Sequence, residues 1–360
     1  MTKLMQGSEA MAEAALASGC RFFSGYPMTP FTELLENMGR RMPATGGVCV
    51  NAASELEAIN MAIGAAATGA RAATGSCGQG LALMQEGIAE AALNQLPIVL
   101  FNLARGQQDY FQATRGGGWG DYRTLTLAPK NIEEAVRFTQ ELFDLADRYR
   151  TPVMLLGDYV IAHSSVGVDL EPLAFPPLPP KDWALDGSTS GSGDARQIWT
   201  WEMGKPNHPG VGPSVHWANV AAKYADMEDV EARYEARHTE DAEVVLCTWG
   251  TTSVFADRLV DELRADGVRI GSFRPVTLWP FPGDALREAT ATATHVLVFE
   301  INAGQMVDDI RMHATDRSAV RFIGGVSQEP SGMRQGPLFS LEALRERVLD
   351  AAGLTTGAMS

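Results

Sequence analysis

Residues 96–104, LPIVLFNLA, form an almost unbroken apolar run in which neighbouring positions are equally greasy. A strand with one wet face alternates apolar and polar residues, so this segment must be covered on both sides. TPVMLLGDYVIA at 151–162 repeats the pattern, and RAATGSC at 71–77, CRFFSGYP at 20–27 and GGVCVNAA at 46–53 read as further strands. Helical periodicity fills the intervals: SEAMAEAALASG from residue 8, PFTELLENMGRRM from 30, SELEAINMAIGAAATGA from 54, GLALMQEGIAEAALNQ from 80 and NIEEAVRFTQELFDLADRYR from 131. Ser8 and Ser54 stand where an N-cap is needed, and Gly19 where a helix ends. Buried strands spaced by helices predict an α/β fold with a doubly wound parallel sheet over residues 1–165.

The rhythm breaks over residues 166–240. EPLAFPPLPPKDWALDGSTSGSGDARQ is too rich in Pro, Gly and Ser for regular structure and reads as a connector, packed down by Trp183, Trp199, Trp201 and Trp217. ANVAAKYADMEDVEARYEARHTED reads as an exposed helix leading out of it. From residue 241 to 360 the α/β rhythm returns, with AEVVLCTWG, VRIGSFRPV and THVLVFEIN as strands of a second, smaller domain.

Acidic residues outnumber basic ones by 44 to 29, a net charge of −15, which argues against nucleic acid or an anionic membrane as partner. No apolar run approaches the roughly 20 residues of a membrane span, and the start shows no signal peptide pattern. The expectation is a cytoplasmic protein with reduced thiols. The four cysteines are scattered and no histidine pairs at ligand spacing, so no metal or iron–sulfur site is expected within the chain.

Candidate chemistry lies where strands of such a sheet end, because ligands bind at their carboxyl edge. In YPMTP, residues 26–30, two prolines restrict the backbone around the hydroxyl of Thr29. Glu55 opens a helix, where an acid can serve function or merely favour the helix dipole, as Glu57 can too. TGSCGQG at 74–80 follows a strand and either cradles a phosphate or permits tight packing; it is neither a Walker motif nor G-x-G-x-x-G. Arg105 ends a strand and is either a ligand contact or a structural ion pair. GGGWGDYR at 116–123 suggests close backbone approach to a ligand or partner.

GSEAMAEAALASGCRFFSGYPMTPFTE, SELEAINMAIGAAATGARAATGSCGQGLALMQE, LPIVLFNLARG and GDYRTLTLAPKNIEEAVRFTQELFDLADRYRTPVMLLGD, in this order, resemble the alpha subunit of thiamine-diphosphate-dependent 2-oxoacid:ferredoxin oxidoreductases. DYFQATRGGGWGDYR looks most like the branched-chain 2-oxoacid members, and RPVTLWPFP with FEINAGQM resembles the family's transketolase-C-terminal-like module. The resemblance implies a pyrimidine-type thiamine-binding domain. It assigns Thr29 and Arg105 to the carboxylate of the 2-oxoacid. Glu55 becomes the catalytic carboxyl group that hydrogen-bonds the aminopyrimidine ring and activates the cofactor, and Pro27, Ser76 and Gly78 join it in cofactor binding. No G-D-G motif followed by Asn-Asn is present; the letters D-G-S at 186–188 sit in the connector. A beta subunit is therefore implied to supply the diphosphate and Mg²⁺ half of the site. Iron–sulfur clusters, with ferredoxin as acceptor and coenzyme A as co-substrate, are expected with partner chains. A non-oxidative thiamine-dependent decarboxylation with carboligation or acyl transfer and a non-catalytic assembly role are the alternatives. Branched-chain relatives carry a longer insert where only Gln107 and Gln108 intervene here, which leaves the substrate and the fate of the acyl group open.

Overall fold

The computed structural model describes residues 2–185, 213–325, 328–329, 332–333 and 340–354. In chain order the main elements are β1 (Lys3–Gln6), α1 (Gly7–Ala17), β2 (Phe22–Gly25), α2 (Thr32–Arg41), β3 (Val48–Asn51), α3 (Glu55–Ala67), β4 (Ala72–Ser76), α4 (Gly78–Leu93), β5 (Ile98–Ala104), α5 (Tyr110–Thr114), β6 (Leu125–Leu127), α6 (Ile132–Tyr149), β7 (Val153–Asp158), α7 (Tyr159–His163), β8 (Ser165–Val168) and α8 (Pro213–Val230). They continue as β9 (Tyr234–Arg237), β10 (Val244–Cys247), α9 (Thr252–Ala265), β11 (Ile270–Pro275), β12 (Thr277–Trp279), α10 (Gly283–Ala289), β13 (His295–Val298), α11 (Met306–His313), β14 (Val320–Phe322) and α12 (Leu341–Ala351).

A seven-stranded sheet has the order β12-β6-β7-β5-β4-β2-β3. Its strands run parallel except β12, which pairs antiparallel with β6. Every residue of β4, β5 and β7 is buried, as the apolar runs demand. Residues of β5 divide between two cores. Ile98 and Leu100 pack with α3 and α4 residues such as Ile59, Met84 and Ile88. Val99 and Phe101 pack with Leu34, Phe138 and Leu142 on the opposite face. Each such fully buried large side chain contributes about 1.5–3 kcal/mol relative to exposure. The second sheet, β14-β13-β10-β11-β9, is parallel apart from β9. Its Val245, Phe273 and Val296 share the core of Ile59 and Met84, so the two sheets are joined by continuous apolar packing.

Three local expectations change. Ser8 does not cap α1: it is buried, and its hydroxyl donates to the Ala162 carbonyl (2.9 Å). The helix read through the EARYEARHTED stretch stops at Val230, and Tyr234–Arg237 becomes a strand paired with β11. Residues 165–168 form an antiparallel ladder with residues 3–6. Among the described residues, no helix is long and apolar enough to cross a membrane. Residues 186–212, including Trp199, Trp201 and the D-G-S letters, lie outside the described residues. Of the other two tryptophans, Trp183 lies under the Arg150 guanidinium (4.7 Å to the ring centroid) and Trp217 meets His216 edge-on.

Candidate active site

Strands β3, β2, β4 and β5 are neighbours in the sheet, so the loops leaving their carboxyl ends converge. These loops carry Glu55, Thr29, Gly78 and Arg105, which are far apart in sequence. Fully buried Phe31 stacks on Phe23 (ring centroids 6.0 Å apart) and anchors the far end of the YPMTP loop. The Thr29–Pro30 peptide is cis, Pro30 is buried, and Tyr26, Pro27 and Thr29 stay exposed.

The two acids at the start of α3 take different places. Ser54 caps the helix, its side chain accepting from the Glu57 amide (3.2 Å), while Glu57 Oε2 accepts from the Ala53 amide (2.9 Å). That reciprocal pair is a capping box displaced by one residue. Capping therefore falls to Glu57. Glu55 turns inward and is only 3% exposed. Ser76 Oγ donates to its Oε1 (3.2 Å) and lies 3.9 Å from Met28 Sδ, joining β4, α3 and the YPMTP loop. A Cβ on Gly80 would come within 2.3 Å of Glu55 Oε1 and 2.0 Å of Ser76 Oγ, so a side chain there would displace the carboxylate.

Arg105 reaches across from β5. Its Nε donates to the Thr29 carbonyl (3.1 Å) and its Nη1 to Gln79 Oε1 (3.4 Å). Among the described residues it forms no ion pair, so the structural salt bridge considered from sequence is absent there. It also lines a cleft of about 280 Å³ with Gly78, Gln79, Ala82, Gln108, Asp109 and Gln112.

Sequence reasoning missed Cys77 and Asp109. The Cys77 thiol donates to the Thr29 carbonyl (3.4 Å), and burial pushes its pKa up to about 11. Asp109, 5% exposed, accepts from the Gly78 amide (2.8 Å). The signal for Cys77 was its place at a strand end; Asp109 carried none, because its partner lies 31 residues away. A carboxylate already holding the first amide of α4 repels a phosphate, so the phosphate-cradle reading of TGSCGQG does not fit.

The glycine-rich loop closes on the chain itself. A Cβ on Gly118 would come within 2.4 Å of the Gln85 carbonyl, and the Tyr122 hydroxyl accepts from the amides of Gly117 and Gly118 (3.0 Å each). The close approach expected toward a ligand or partner is made to α4. The short Gln107–Gln108 segment is likewise tied down. Gln107 donates to the Trp249 carbonyl (2.8 Å) and accepts from the Ile301 amide (2.8 Å), while Asn302 Nδ2 donates to its carbonyl (2.8 Å).

Among the described residues the buried Glu55 carboxyl group receives one hydroxyl donor, which leaves it positions for hydrogen bonding to an aminopyrimidine. Glu55 thus fits the pyrimidine end of thiamine diphosphate. No group of three or more potential metal-ligating side chains occurs among the described residues. Residues 13–183 match the family described as pyruvate flavodoxin/ferredoxin oxidoreductase, thiamine diphosphate-binding, and residues 242–334 match pyruvate:ferredoxin oxidoreductase core domain II. Ketoisovalerate oxidoreductase subunit VorB of Methanothermobacter marburgensis is 36% identical over 349 residues, covering 90% of this chain and 94% of that protein.

The chain belongs to the 2-oxoacid:ferredoxin oxidoreductase family.

A second family member, 2-oxoglutarate synthase subunit KorA of Methanothermobacter thermautotrophicus, is 33% identical over 359 residues, covering 91% and 95%. The solved 2-oxoglutarate:ferredoxin oxidoreductase from Magnetococcus marinus superposes with a TM-score of 0.82 at 24% identity, over 98% of this chain and 65% of that one. A split-gene transketolase gives a TM-score of 0.59 at 10% identity, over 97% and 99%. These two likenesses establish the fold class. Membership of the family makes the chain an oxidoreductase subunit with a thiamine diphosphate-binding domain, working with partner subunits.

Proposed function

We propose that this chain is the alpha subunit of a complex that oxidatively decarboxylates a branched-chain 2-oxoacid to its acyl-CoA. The observation that carries the reading is the gathering, around one preorganised loop, of a buried Glu55 that receives one hydroxyl and an arginine that forms no ion pair among the described residues. Thiamine diphosphate, when bound, supplies the electron sink for losing CO₂ next to a carbonyl. Glu55 would hydrogen-bond its aminopyrimidine ring, with Ser76 holding the carboxyl group in place. Arg105 takes the substrate carboxylate with its unused N–H donors, beside the Thr29 hydroxyl, since a planar guanidinium suits a carboxylate. Arg105 and Cys77 both hold the Thr29 carbonyl, which fixes the loop before substrate arrives.

The 2-oxoacid loses CO₂ and two electrons. The electrons pass to iron–sulfur centres of partner chains and on to ferredoxin. The acyl carbon forms a thioester with the coenzyme A sulfur, whose proton leaves. A beta subunit supplies the diphosphate and Mg²⁺ contacts. The branched-chain preference rests on the likeness to the VorB subunits.

The test is anaerobic purification of the native complex, followed by 3-methyl-2-oxobutanoate with coenzyme A and oxidised ferredoxin. The expected result is a brown complex that reduces ferredoxin and forms acyl-CoA. A colourless complex that releases CO₂ without reducing ferredoxin would overturn the oxidative reading. Preference for 2-oxoglutarate would overturn the substrate.

A further inference from the structure

Of Gly78, Gln79 and Gly80, which open α4, only Gln79 carries a side chain. Its backbone is held from both sides. The Gly78 amide donates to Asp109 Oδ2 (2.8 Å) and the Gly80 amide to the Cys77 carbonyl (3.0 Å). From that fixed point Gln79 Oε1 accepts from Arg105 Nη1 (3.4 Å), while Arg105 Nε donates to the Thr29 carbonyl (3.1 Å). The guanidinium is rigid and planar, so two anchors from different elements set its direction. Of its five N–H donors, two are used in this way.

The neutral amide is the unexpected choice at this position. The positive end of a helix dipole favours acids in the first turn. Helix α3 carries Glu55 and Glu57 there, and α6 carries Glu133 and Glu134. The first turn of α4 has none. A glutamate at position 79 would suit the helix better and has the same reach, but it would neutralise the guanidinium and occupy its donors. A glutamine orients the group without cancelling its charge. Departure from a local preference with no gain to the helix is expected where function decides the residue. We propose that Gln79 is a positioning residue: its amide oxygen aims the Arg105 guanidinium at the substrate carboxylate and leaves the positive charge for the 2-oxoacid. This rests on the function proposed above and adds a residue that sets affinity for the substrate.

Two variants in the purified complex test it. Gln79→Glu keeps the shape and adds a charge that pairs with Arg105. KM for the 2-oxoacid should rise about ten- to hundredfold, the worth of a hydrogen bond to a charged group, with kcat nearly unchanged. The unfolding midpoint should match or exceed that of the unaltered chain, because an acid suits the dipole. Gln79→Leu removes the acceptor and should raise KM about three- to tenfold, but not when added to Arg105→Ala, since the two residues act as one unit. A packing role would instead lower the midpoint in both variants and raise KM no more for glutamate than for leucine. That pattern, an unchanged KM in Gln79→Glu, or an equal rise from Gln79→Leu on the Arg105→Ala background would overturn the proposal. If Arg105→Ala itself left KM unchanged, the carboxylate assignment beneath the proposal would fall, and Gln79 with it.

Discussion

Two buried glutamates sit just beyond parallel strands, one after a strand of each sheet, and they are treated differently. Glu300, after β13, is fully buried and saturated. It accepts from the amides of Gln305 (3.1 Å), Met306 (2.9 Å) and Val307 (3.1 Å), from Asn302 Nδ2 (3.0 Å) and from Trp249 Nε1 (3.4 Å). It satisfies the start of α11, where orphan amides and the positive end of the helix dipole both favour an anion. Glu55, nearly as buried, receives one hydroxyl from the described residues. A carboxylate whose every lone pair is used holds a fold together. Under the function proposed above, one kept under-bonded at the carboxyl edge of a sheet is left for the cofactor.

The comparison can be broken first at Glu300. Glu300→Ala strands several buried donors and should cost about 3–5 kcal/mol, read as a lower denaturant midpoint. A loss under about 1 kcal/mol would mean that the network is not structural. Gly80→Ala comes next: the new Cβ must push Ser76 and Glu55, at a cost of about 1–3 kcal/mol. Because the carboxylate moves, turnover should fall by more than the loss of folded protein explains. Tyr110→Phe removes the bond from its hydroxyl to Asp309 Oδ2 (2.7 Å), which joins α5 to α11, and should cost about 1–2 kcal/mol without changing KM. Arg105→Ala should leave the unfolding midpoint alone, as the side chain is exposed, and raise KM for the 2-oxoacid about tenfold to a hundredfold. An unaltered KM would place the carboxylate elsewhere. The smallest effect concerns pH. The thiolate is the reactive form of cysteine, and Cys77 is held near 11 by burial. Iodoacetamide should therefore spare Cys77 at pH 7, with labelling rising only as pH approaches 11; rapid modification at pH 7 would show that the thiol is not buried.

The sheet was legible because β5 and β7 are buried on both faces, which leaves a continuous apolar run in the sequence. Strand β8 was not, because its ladder with β1 joins residues 165–168 to residues 3–6, and so distant a pairing leaves no local pattern. Strand β9 was hidden by its composition: Glu, Ala and Arg favour helix, and only pairing with β11 makes YEAR a strand. At the site, the positions of Thr29, Glu55 and Arg105 could be read from strand ends. Which of Glu55 and Glu57 caps α3 could not. Both suit the first turn, and the choice depends on Ser76 and Gly80, which the fold brings in from β4 and α4.

The most direct measurement is turnover of the intact complex carrying Glu55→Ala. Size-exclusion chromatography should show the complex assembled, and the chain should unfold within about 1 kcal/mol of the unaltered one, since among the described residues one hydroxyl loses its acceptor. Reduction of ferredoxin by the 2-oxoacid should fall by about 10²–10⁴, the scale of lost proton-transfer chemistry. Turnover surviving largely intact in an assembled complex would contradict the account, leaving Glu55 as an under-bonded carboxylate without a catalytic role.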